Sequence, residues 1–275
     1  MSEDRFFAHA FHRSMLVAAA ASLVGMASAQ LPLPLYEPFN YDASTNLTTH
    51  DGWTITGANT LSPVQVIANS LAYAGLPTPV GNKVAVLNGT SFEDPGVDVG
   101  PASGENTSVF VSFLVNVVNP GNTTGEYFLH VCSAGQTSTD FHSRAFIRQS
   151  SVTTGAFNFG IRQHNNDVIQ FETADRAAAT TFFVVVSYDF VAGTTNDTSR
   201  MWVNPALGQT TPPAPDLTAS AVGSTDTDLT AVGRLNLRQP SADTALSIEV
   251  DEIRMDTTWA NVTPAGSAVQ DWSVY

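Results

Sequence analysis

The sequence predicts an all-β protein built as two stacked antiparallel sheets, and three observations carry that prediction. From Leu31 onward the apolar residues come in short runs rich in Val, Phe, Ile and Tyr, bounded by clusters of Gly, Pro, Asn, Asp and Thr. Strands and their turns have this composition. No segment holds a helical period for three turns. The runs also differ in kind: "FFVVVSYDF" is apolar at nearly every position, as suits a strand covered on both faces, whereas "RLNLRQ" alternates and exposes one side. Two packed sheets with one concave, partly polar face produce that mixture.

In chain order the clearest strands are "KVAVLN" (83–88), "SVFVSFLVNVV" (108–118), "GEYFLHVCS" (125–133), "SRAFIRQ" (143–149) and "AFNFGIRQ" (156–163). "TFFVVVSYDFV" (181–191), "SRMWVN" (199–204), "AVGRLNLRQ" (231–239) and "LSIEVDEIRM" (246–255) follow. Turn signals such as "NPGNTTG", "SSVTTG", "HNND" and "AGTTNDT" separate them. The strand ending near Val191 returns through Met201 to Val203 as a hairpin, and Pro205 stops it because proline cannot donate to a ladder. The Pro- and Ser/Thr-rich stretch from Thr210 to Asp228 shows no core pattern and reads as a long surface loop. Too little sequence follows it for a second domain, so residues 30–275 are expected to form one sandwich.

The N-terminus predicts export. Arg5 and Arg13 precede an apolar run from Met15 to Met26, and Ala27, Ser28 and Ala29 supply the small residues a signal peptidase requires. The run is shorter than the roughly 20 residues of a spanning helix, so residues 1–29 are expected to be a cleaved signal peptide, with no transmembrane anchor in the mature chain. A secreted, extracellular or periplasmic location follows. Net charge of -14, from 11 basic and 25 acidic residues, disfavours nucleic acid and anionic membrane surfaces. Cys132 is the single cysteine, which excludes an internal disulfide framework and leaves stability to a large core.

The ordered series "LYEPFNY", "GW" at 52–53, "GNKVAVL", "VFVSFLVNV", "YFLHV", "SRAFIR", "FFVVVSYDFVAG", "RMWVNP", "LNLRQ" and "EVDEIRMDTTWANV" resembles exported bacterial proteins with a laminin-G-like, concanavalin A-like jelly roll. The resemblance covers nearly all of the chain after residue 29. It implies a two-sheet jelly-roll sandwich whose final strand returns beside the first, and a secreted, non-catalytic binding or adhesion module with a polysaccharide or glycoconjugate as partner. A structural component of an extracellular layer and a diverged glycoside hydrolase are the alternatives. The C-terminal "GSAVQDWSVY" shows no sorting tail, apolar anchor or basic stop.

Candidate chemistry is sparse. Retaining glycosidases of this sandwich class share a strand reading Glu-x-Asp-x-x-Glu, or Glu-x-Asp-x-Glu without the bulge. Glu249 and Asp251 fit the first two positions, but the acid/base position falls on Arg254 or Ile253. The apolar alternation slips by one residue at Asp251 and Glu252, which predicts a bulge with Arg254 available as an ion-pair partner. Glu93, Asp94 and Asp98, read as a Pro/Gly-rich loop, are candidate Ca²⁺ ligands, with Asn196 and Asp197 a weaker set. His130 and Cys132 share a strand face but lack the further ligands of a zinc site. No Gly-x-Ser-x-Gly elbow and no phosphate loop occur. Trp53, Trp202, Trp259 and Trp272 are the largest aromatics that a sugar ring could stack on. Trp202 and Trp259 are expected to pack inside instead. The expected binding surface is Tyr127, Arg144, Arg148, Phe157, Phe159 and Arg162, on strands that also carry polar residues.

Overall fold

A computed structural model describes residues 30–275 apart from 58, 90–91, 136–139, 221–226, 241–243, 267–272 and 275. The expected signal peptide and Trp272 lie outside the described residues. Strands form where β-branched and aromatic residues cluster. In chain order they are β1 (Leu35–Glu37), β2 (Trp53–Thr56), β3 (Gln65–Ile67), β4 (Lys83–Leu87), β5 (Asp94–Ala102) and β6 (Ser108–Pro120). Next come β7 (Glu126–Cys132), β8 (His142–Gln149), β9 (Ala156–Arg162), β10 (Gln170–Phe171), β11 (Arg176–Ala177) and β12 (Thr181–Asp189). The last third holds β13 (Thr198–Val203), β14 (Leu217–Ser220), β15 (Val232–Leu237), β16 (Leu246–Asp256), the one-turn helix α1 (Trp259–Val262) and β17 (Ser273–Val274). No helix of the described residues is long and apolar enough to cross a membrane.

Two sheets stack as a jelly-roll sandwich. The first runs β14-β13-β12-β6-β16-β1-β17, with β4 also on β16 and β3 on β4. The second runs β10-β9-β8-β7-β15-β5-β2, with β11 also on β9. Among the described residues the strand pairs are antiparallel except β1 with β17. The chain's last strands thus flank its first, because β1 lies between β16 and β17.

Two stretches depart from the sequence reading. "DPGVDVG" lies in β5 rather than in a loop: Val97 and Val99 alternate into the core, and that burial outweighs Pro95 and Gly96. Within the Thr210–Asp228 stretch, Leu217–Ser220 pairs with β13 as a short edge strand.

The apolar run of β12 is explained by two cores. Phe182, Val184, Val186 and Tyr188 enter the main core between the sheets. Phe183 and Val185 point the other way, into a second cluster with Leu71, Leu76, Phe110, Leu114, Trp202, Trp259 and Val262. That second cluster covers the far face of the first sheet, so β12 and β6 are buried on both sides. Trp202 and Trp259 meet edge to face at 4.8 Å inside it, and Trp53 is buried in the main core. None of these three is a sugar platform.

The slip in β16 is a bulge. Glu252 takes φ +52°, and the register against β6 shifts between Asp251 and Arg254. The bulge lets one long strand hold two neighbours in turn: Ser247–Val250 pair with β4, and Ile253–Met255 pair with β1. Its carboxylates serve the fold. Glu252 accepts from Tyr36 Oη and Arg254 Nη2, each at 2.7 Å. Asp251, fully buried, accepts the backbone N–H groups of Leu71 and Glu252, each at 2.7 Å.

Candidate functional site

Strands β7, β8, β9 and β15 turn their alternate side chains away from the core, and their outward residues build one continuous face. Residues 144, 146 and 148 of β8, 158, 160 and 162 of β9, and 234, 236 and 238 in and after β15 share it with Tyr127 of β7. Its centre is the Tyr127 ring, which has the Arg144 guanidinium 4.9 Å and the Arg238 guanidinium 4.3 Å from its centroid. Phe146 lies 5.5 Å from Tyr127, and Phe171 lies 6.3 Å from Phe146. Arg148 stacks over Phe171 at 4.1 Å. Cation–π contacts of this kind order guanidinium groups without neutralising them.

Glycines seat the outer ring. A Cβ at Gly160 would stand 2.6 Å from Phe171 Cδ1, so Phe171 lies flat on the sheet only because position 160 has no side chain. Gly160→Ala is expected to lower stability by about 1–3 kcal/mol through this overpacking. Urea unfolding checks it; unchanged stability would mean that Phe171 is not packed on the sheet.

On this face two arginines pair with carboxylates and two bond neutral amides. Eight arginines follow residue 29, and Arg144, Arg148, Arg162, Arg234 and Arg238 project here. Arg234 pairs with Asp98 at 2.9 Å and Arg238 with Glu126. Arg144 instead bonds the neutral side chain of Asn165, and Arg148 that of Asn158. Arg144 also stands directly opposite Arg162 across the β8–β9 pair, an arrangement that like charges oppose. Burial first, and the Arg162 charge second, push the Arg144 guanidinium down to about 10. His130 sits beneath, with Phe141 4.3 Å from its ring, and burial holds it well below the usual histidine range.

Four of the six residues expected at a binding surface, Tyr127, Arg144, Arg148 and Arg162, therefore share one face. Phe157 and Phe159 do not, which corrects that expectation: both are fully buried between the sheets. They differ from Arg162 by odd numbers, so strand alternation sends them to the opposite side. Arg238, Phe146 and Phe171 belong to the face and were not expected there.

The expected calcium ligands do not converge, because each is engaged elsewhere. Glu93, buried, accepts from Thr48 Oγ1 at 2.7 Å. Asp94 accepts the Gln239 N–H at 2.8 Å, and burial raises its carboxyl to about 6. Asp98 serves Arg234 and the Gly135 N–H. In the other acidic loop Asp197 accepts from Tyr188 Oη and the Val191 N–H, while Asp228 caps the N–H groups of Asn196 and Asp197. Among the described residues only Asp140, His142 and His164 bring three metal-ligating atoms together.

The hydrolase carboxylates are engaged elsewhere as well. Glu249 pairs with Lys83 at 3.0 Å and accepts from Asn116. Asp251 is closed to any substrate. A cleft of about 540 Å³ between the β3–β4 edge and Gln239 has no acid, base or histidine among its lining residues.

The fold and this face define an all-β sandwich module with an arginine–aromatic surface. No protein-family model matches the chain, and no curated protein matches it. Solved structures similar to it include the CBM2 module of the evolved Dit protein of Lactobacillus casei BL23 phage J-1, with TM-score 0.41, 10% identity, and coverage of 76% of this chain and 91% of that one. A protein of unknown function from Shewanella oneidensis MR-1 matches at TM-score 0.41 and 13% identity, over 87% of this chain and 91% of the other. Domain 4 of an extracellular arabinanase from Geobacillus stearothermophilus, in complex with arabinotriose, matches at 0.39 and 14% over 77% and 88%.

Proposed function

We propose that the chain is a secreted, non-catalytic carbohydrate-binding module whose ligand is an acidic saccharide, held on the outer face of the second sheet. The observation that supports this most is Arg148: it is part-exposed, stacked over Phe171 and bonded to an amide rather than a carboxylate. A carboxylated or sulfated sugar supplies the missing anion, and Arg is the side chain suited to bind it in bidentate fashion. Tyr127 and Phe171 hold the Arg238 and Arg148 guanidinium groups in place for that anion. Among the described residues the face holds no pair of free carboxylates, and retention without cleavage is the expected behaviour.

The test is affinity electrophoresis of the protein in gels containing a polyuronate, a sulfated polysaccharide or a neutral glucan, with reducing sugar measured in parallel. Retardation by an acidic polymer, weakening as salt rises and reduced roughly tenfold in Arg148→Gln and Tyr127→Ala, is the expected result. Equal retardation of the variants, or binding confined to the neutral glucan, would overturn the reading. So would no retardation by any polymer, which would leave assembly of an extracellular layer as the better account.

A further inference from the structure

At one end of the β8–β9 hairpin, three side chains from separate positions converge outside the arginine–aromatic face. The hairpin register pairs Arg144 with Arg162, and the Ser143 N–H donates to the Gln163 carbonyl at 3.0 Å. One step further, His142 and His164 come opposite each other, with ring centroids 4.1 Å apart. Asp140, on the segment entering β8, reaches both: its Oδ1 lies 3.0 Å from His142 Nε2 and 3.6 Å from His164 Nε2. All three ligand atoms fall within 4.8 Å of one another.

We propose that Asp140, His142 and His164 bind a divalent transition-metal ion through one carboxylate oxygen and two imidazole nitrogens. Ligands about 2.0 Å from a tetrahedral ion stand about 3.3 Å apart, between the two separations observed. Two nitrogens among three ligands select Zn²⁺ or a first-row neighbour over Ca²⁺, which takes oxygen. The charge fits as well. Asp140 has no arginine or lysine partner among the described residues, so its carboxylate brings a negative charge to the ion. A carboxylate and two imidazoles that give up any proton to the metal are ligand forms that a divalent cation accepts. The histidine side chains are 1% and 10% exposed, whereas Asp140 is 32% exposed, so an ion enters from the Asp140 side and keeps a solvent position there. This inference does not rest on the carbohydrate reading, because none of the three residues contributes to that proposed ligand surface.

The experiment is titration of chelator-stripped protein with Zn²⁺ by calorimetry and with Co²⁺ by visible absorption. One ion per chain, with the intense ligand-field bands of low-coordinate Co²⁺, is expected. Asp140→Asn should weaken Zn²⁺ binding by roughly 100-fold or more, since even outer-shell changes at metal sites cost about 10- to 100-fold. His142 is buried and its loss can unfold the chain, so the comparison uses Asp140→Asn and His164→Gln, each verified by its melting curve in chelator. Absence of both signals would overturn the proposal. Zn²⁺ binding that is unchanged in these variants would place the ion elsewhere and would overturn it equally.

Discussion

Glu37→Leu should destabilise the fold by about 3–6 kcal/mol, read as a fall in the urea midpoint at constant slope. The carboxylate is 2% exposed and accepts three hydrogen bonds: from the Phe39 N–H at 2.7 Å, Tyr41 Oη at 2.7 Å and Trp53 Nε1 at 2.9 Å. Leucine removes the acceptor and leaves three donors, each worth about 1–3 kcal/mol when buried without a partner. The position joins the layers, because Glu37 ends β1 of the first sheet and Trp53 begins β2 of the second. A loss of this size approaches the whole stability of an ordinary domain, about 5–15 kcal/mol. Glu37→Gln should fall between the two, since its amide oxygen still accepts while its NH₂ group faces a donor. A leucine variant as stable as the parent would mean that water replaces all three bonds.

Local patterning made part of this molecule legible. The two-sided burial of β12 follows from its unbroken apolar run, and the β16 bulge from the slip of alternation at Asp251. The same rule, applied strictly, separates Phe157 and Phe159 from Arg162. The rest depends on which strands are neighbours. Tyr127 meets Arg238 because β15 pairs with β7, across more than a hundred residues, and nothing local to either strand encodes that pairing. Phe171 needed the absence of a side chain at Gly160, its partner across the β9–β10 pair. The His142–His164 pair lay within reach, since setting the hairpin about "SSVTTG" brings those positions opposite each other; Asp140 then follows by its spacing of two from His142. Pro95 and Gly96 misdirected the reading of β5, because both are strand breakers by habit and Val97 and Val99 overrule them through burial.

Asp251→Asn should gain stability relative to the parent as pH rises, by about 1.4 kcal/mol per pH unit and so about 4 kcal/mol between pH 5 and pH 8. Burial, the dominant cause, raises the Asp251 carboxyl from 3.8 to about 8, against the pull of the Leu71 and Glu252 N–H groups. Between those values the folded chain keeps a proton that the unfolded chain has released. The unfolded state therefore binds fewer protons, and the parent loses stability as pH climbs through the window; below pH 4 the penalty is absent. Asparagine cannot ionise and escapes that slope. Glu37, raised by burial, tilts the parent the same way, while His130 and His142, lowered by burial, tilt it the other way below about pH 6.5. These groups are common to both proteins and cancel in the difference, so the quantity to measure is the gap between the two urea midpoints at several pH values. A gap that stays flat would mean that Asp251 is ionised throughout, with its two backbone N–H partners outweighing the burial. The carboxylate would then be a charge-assisted clamp fixing the Leu71 segment over the first sheet, and the same substitution would weaken the protein at every pH.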